Sequence, residues 1–127
     1  MNAYIVVESP QVASLISSLL PEEILSHTAV VTTGERSSIT STARTLLVMK
    51  RKPIAVLVHA NPAESSSTQG LRRDMEGLIR AVSGGVPFRV FMMDPNRDEK
   101  DLRQDAQIQE LIHFVSECVL SETTPSA

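Results

Sequence analysis

The run Tyr4-Ile5-Val6-Val7-Glu8-Ser9-Pro10 decides the fold. Its apolar part starts at Ala3 and shows no polar alternation, which suits a strand covered on both faces, as in a parallel sheet between helices. A carboxylate closes the run. Ser9 and Pro10 follow, a hydroxyl able to cap a helix and a ring that suits the first helical position. Beyond them Val12, Leu15, Ile16, Leu19 and Leu20 recur at spacings of three and four, and Pro21 stops the pattern. The stretch therefore reads as strand, turn and helix, with an acid at the carboxyl end of the strand.

The same unit repeats outward. Apolar runs at Thr28 to Thr32, Ile54 to Val58 and Phe88 to Met93 read as three further strands. Helical spacing joins Ile39, Ala43, Leu46 and Leu47, then Leu71, Met75, Leu78, Ile79 and Val82, and lastly Ile108, Leu111, Ile112, Val115 and Val119. Ser37 or Ser38 is placed to cap the second helix, Gly84-Gly85 closes the third, and Asp94-Pro95-Asn96 ends the fourth strand. The result is β-α four times over, which predicts a single α/β domain with a mainly parallel four-stranded sheet and helices on both faces, toprim- or Rossmann-like in architecture. If the first and third strands share one crevice, the strand order is 2-1-3-4. The domain is expected over residues 1–120, with a flexible tail over 121–127.

Totals narrow the class. A chain of 127 residues with 42% hydrophobic and 21% charged residues suits one globular domain rather than a disordered segment. No apolar run reaches the roughly 20 residues that span a bilayer, so no membrane association is expected. The start has no basic segment leading into a long apolar core, and a single cysteine, Cys118, allows no internal disulfide; both point to a cytoplasmic setting. Residues 1–93 hold nine Lys/Arg against seven Asp/Glu, whereas 94–127 hold three against eight. That mild basicity, with one Tyr, three Phe and no Trp, makes nucleic acid a weak candidate partner.

Candidate chemistry gathers at the strand ends. Glu8 can ligate magnesium or act as a general acid/base; the alternative is a solvated turn residue or a helix cap. Thr33-Gly34-Glu35-Arg36-Ser37 follows strand two, and there Gly34 permits a tight turn, backbone N–H groups can face a phosphate, and Arg36 can pair with it; an ordinary strand-to-helix turn is the competing reading. His59 and Asn61 leave strand three two residues apart, on one side, facing the Glu8 crevice, or else hydrogen-bonding a loop. Asp94 can add a carboxylate at the edge of the crevice or serve only its own turn. The polar loop Glu64 to Thr68 covers the strand ends or caps the third helix. Lys50-Arg51-Lys52 and Arg72-Arg73 are basic runs with solvated or phosphate-facing readings. His27 and His113 read as structural or solvated, and Cys118 as buried and inert.

In this order the pieces resemble the toprim fold, the catalytic domain of type IA topoisomerases, bacterial primases and the overcoming-lysogenization-defect nucleases. Tyr4-Ile5-Val6-Val7-Glu8-Ser9-Pro10 is similar to the family's first strand and its glutamate. Val31-Thr32-Thr33-Gly34-Glu35-Arg36-Ser37 is similar to the glycine turn after its second strand. Lys52 to Asn61 falls where the family's third strand delivers Asp-x-Asp. The likeness spans residues 3–95. It implies that Glu8 is the family's acid/base or metal-linked glutamate, and that His59 and Asn61 occupy the two aspartate positions. Magnesium is the cofactor the family uses; Glu8, Asn61 and Asp94 are the ligands left to hold it here, and two formal charges are missing. The expected function is a stand-alone, degenerate toprim-like module, regulatory or binding rather than catalytic, linked to nucleic-acid metabolism, with a protein partner or a second copy as further candidates. Two alternatives stand beside it. One is a divalent-metal nuclease or phosphotransferase using Glu8. The other is a degenerate receiver-like interaction subunit, since Ile5 to Leu15 also resembles the opening of a response-regulator receiver domain.

Overall fold

The computed structural model describes residues 1–60, 66–94 and 96–123. Four strands, β1 (Ala3–Val7), β2 (Thr28–Thr32), β3 (Ile54–His59) and β4 (Phe88–Met93), form one sheet in the order β2-β1-β3-β4. Every neighbouring pair is parallel, with Tyr4 opposite Ala29 and Ile54, and Ile54 opposite Phe88. The sequence pattern leads to this topology directly. Strands whose residues are buried on both faces need helices above and below, and parallel neighbours need crossovers long enough to contain them.

Among the described residues six α-helices supply the cover: α1 (Pro10–Leu19), α2 (Glu22–Leu25), α3 (Ile39–Lys50), α4 (Ser66–Ser83), α5 (Glu99–Arg103) and α6 (Ala106–Thr123). Strand parity sorts them into two layers. Ala3, Ile5, Val7, Ala55, Leu57, Phe91 and Met93 pack with α1, α2, α5 and α6. Val6, Ile54, Val56, Val58 and Val90 pack with α3 and α4. The chain steps from β1 to β2 in one direction and from β2 through β3 to β4 in the other. Crossovers of one hand must then lie on opposite faces, which is why α1 and α3 do.

The boundaries have local causes. Ser9 Oγ accepts from Val12 N–H at 3.3 Å, with Pro10 in the first turn of α1. Ser38 precedes α3 but does not cap it: its hydroxyl donates to Glu35 Oε1 at 2.9 Å, and a short 3₁₀ turn over Arg36–Ser38 feeds the helix. Pro21 ends α1 as expected and also starts α2, where Glu22 and Glu23 sit in a first turn that favours negative charge. The segment after β4 is two helices, broken at Gln104. Asp105 opens the second, its Oδ1 accepting from Gln107 N–H at 2.8 Å and Ile108 N–H at 3.3 Å. Helix α6 continues to Thr123, beyond the domain end expected at 120, and residues 124–127 of the expected tail lie outside the described part. No helix among the described residues is long and apolar enough to cross a membrane.

Candidate functional site at the switch point

The order of strand addition reverses between the parallel neighbours β1 and β3, so their carboxyl ends open the crevice where parallel α/β sheets hold ligands. Glu8 follows β1 and His59 ends β3. Tyr4 N–H donates to Pro53 O at 3.0 Å, while Ile54 N–H donates to Pro87 O at 3.2 Å. Odd residues of β3 therefore turn their backbone groups toward β1, and even residues toward β4. His59 N–H faces β1 by this rule, yet no carbonyl of β1 meets it. The Glu8 carbonyl has turned away and accepts from Gly34 N–H at 2.9 Å. The Glu8 carboxylate fills the gap, Oε2 accepting from His59 N–H at 2.7 Å. A side chain thus completes the ladder across the switch point through a short, charge-assisted bond.

The imidazole of His59 goes elsewhere. By parity it belongs to the face of Ala55 and Leu57, under α1 and α5, so Glu8 and His59 meet through the backbone. The contact between the strand ends at Glu8 and His59 is thus made by the His59 amide. His59 instead lines a cleft of about 730 Å³ between α1, the end of β4 and α5. Val12, Leu15, Met93 and Leu102 give this cleft apolar walls, and Gln11, Ser14 and Ser18 give it polar ones. Arg97 and Arg103 stand on its border, each already matched to an acid. Arg97 Nη1 lies 2.6 Å from Asp105 Oδ2, and Arg103 Nη2 lies 2.9 Å from Glu99 Oε1 and 3.2 Å from Ser18 Oγ. His59 Nε2 is buried with no hydrogen-bond partner among the described residues. Sequence reasoning did not single out Gln11, Ser14, Ser18, Arg97 or Arg103. Their only signal was the Ser14/Ser18 pair one turn apart on α1, and it shows no function until α5 is placed opposite.

The remaining candidates divide. Gly34 has φ of +82° and takes the turn expected of it. Its N–H and that of Thr33 are held by Glu8 O and Val7 O, so neither is open to a phosphate. Arg36 reaches the crevice with a long contact, Nη1 to His59 O at 3.5 Å, and Ser37 is exposed. Asp94 serves its own turn: Oδ1 accepts from Asn96 N–H at 2.9 Å. Asn61, Glu64 and Ser65 lie outside the described residues. Lys50, Arg51 and Arg72-Arg73 belong to the α3/α4 layer, on the far side of the sheet from the cleft, with Arg72 Nε 2.9 Å from Glu76 Oε1. His27 is exposed, His113 lies 3.1 Å from Glu117, and Cys118 is partly exposed rather than buried.

These donors do not fit magnesium. A hard divalent ion wants several anionic or carbonyl oxygens converging on one point. Here one Glu8 oxygen is bound to an amide, His59 lines the cleft under α1 and α5, and the Asp94 carboxylate closes its own loop two strands away. No group of three His, Cys, Asp or Glu side chains suited to a metal occurs among the described residues. Neither a protein-family model, a curated protein sequence nor a solved structure matches the chain.

Proposed function

We propose that the chain is a non-catalytic binding module on a toprim-like scaffold, serving nucleic-acid metabolism through what it binds rather than through phosphodiester chemistry. The observation that carries this reading is the 2.7 Å bond from His59 N–H to Glu8 Oε2. A general acid/base or a metal ligand must have its carboxylate free to face substrate or cation. One oxygen of this carboxylate is instead held by the amide at the end of β3. The toprim likeness rests on the order of the three sequence pieces, and sheet order 2-1-3-4 supports it by bringing Glu8 and the end of β3 together. The receiver-like alternative draws less support, because that family wants a lysine after a fifth strand and the described sheet has four.

Calorimetric titration with magnesium and manganese tests the reading. The expected outcome is no saturable binding at millimolar or lower concentration, for the wild type and for Glu8→Ala alike. Binding tighter than millimolar that is lost in Glu8→Ala would restore the nuclease or phosphotransferase alternative.

A further inference from the structure

Helix α3 has a buried apolar stripe and an outer stripe that is part polar and part apolar. Ile39, Ala43 and Leu47 are fully buried against the sheet, as a crossover helix requires. On the outer side, Ser41, Arg44, Thr45, Val48 and Met49 follow the i, i+3, i+4, i+7, i+8 spacing of a single helical face. A solvent-facing stripe normally carries charge, yet Val48 is 57% and Met49 70% exposed. Leu78 of α4 is a further half-exposed apolar residue on the same layer. The α3 stripe and Val82 of α4 line a groove of about 360 Å³. Arg44 belongs to this groove, and its Nε is buried without a hydrogen-bond partner among the described residues. Arg44 as a whole is only part-buried, so it is a cation in the groove with which a docked carboxylate can pair.

Charge on the two layers is opposite in sign. Helix α3 and the turn after it contain Arg44, Lys50, Arg51 and Lys52 and no acid. Helix α4 adds Arg72, Arg73 and Arg80 against Asp74 and Glu76. On the other layer, α2 and α6 have no Lys or Arg. Two copies meeting through α3 and α4 would press like charges together, which disfavours a symmetric pair. A nucleic-acid backbone would meet the cations, but it would also bury Val48, Met49 and Leu78 against phosphates.

We propose that the α3/α4 face docks an acidic amphipathic helix of a partner protein, its leucine-type anchors in the groove and one carboxylate on Arg44. This does not rest on the toprim reading, because it involves no residue of the switch point. The probe is a synthetic helical peptide of roughly four turns with Leu at i, i+4 and i+7 and Glu beside them, followed by fluorescence anisotropy. Its controls are a peptide of the same composition with the Leu positions scrambled, and a random-sequence DNA duplex. Saturable binding roughly tenfold tighter than the scrambled peptide is expected, weakened roughly tenfold by Arg44→Glu and again by Val48→Asp, with circular dichroism of both variants unchanged. Equal binding of the two peptides, or of neither, overturns the proposal. So does tighter binding of the duplex that Val48→Asp leaves intact, or sedimentation showing that the protein occupies the groove with a second copy.

Discussion

Glu8 is half-buried, and one of its oxygens replaces a strand carbonyl as the acceptor for His59 N–H. Removing it leaves an amide at the switch point without its acceptor, the costly side of hydrogen-bond energetics. Glu8→Ala should lower unfolding free energy by about 1–3 kcal/mol in urea titrations. Glu8→Gln keeps an acceptor of the same reach and should lose less than half of that. An equal loss in both variants would show that charge, and not the ladder bond, is what matters. Gly34 is a second residue with a backbone reason, since its φ of +82° is strained for any side chain although no atom lies within 4 Å of an added Cβ. Gly34→Ala should cost about 1–2 kcal/mol on the same assay, and no loss would mean that the turn relaxes freely. The special status of Glu8 is legible in the sequence, from its place at the end of β1. Its partner is not. Every residue but proline has an N–H, so nothing in the letters His59 to Asn61 announces that the amide rather than the imidazole is used.

At the scale of elements, the strands were the easiest to read, because Ile54 to Val58 and its counterparts are continuous apolar runs that only a doubly covered sheet accommodates. Strand β3 gains one residue, His59, because its pairing with β4 continues to Met93. Helix α2 was missed because Pro21 reads as a stop, while the acids after it were a start signal. Helix α5 is not signalled by apolar spacing, because Leu102 is the one apolar residue from Asp98 to Gln104, and the break before α6 rests on the Asp105 side chain. That carboxylate caps α6 with one oxygen and takes Arg97 with the other. Asp105→Ala should therefore destabilise by about 2–3 kcal/mol, more than the roughly 1 kcal/mol expected for Ser9→Ala at the single cap of α1. Equal melting shifts in the two variants would contradict the double role of Asp105.

At the scale of the molecule, the 2-1-3-4 order follows from asking which strand ends share a crevice, and the parity of each strand then assigns every inward side chain to a layer. What the sequence cannot give is which helix roofs the crevice. The cleft beside His59 exists only once α5 is folded back over α1, and the opposed charge of the layers emerges only when α3 with α4 and α2 with α6 are placed on opposite faces. The central claim is that the crevice is closed by a structural bond between β1 and β3 and not poised around a cation. The direct test is the His59 amide resonance followed by nuclear magnetic resonance during a magnesium titration. The expected result is a hydrogen-bonded, exchange-protected amide that does not move through millimolar magnesium. A saturable shift of that signal, with loss of protection as Glu8 turns to a bound ion, would contradict it.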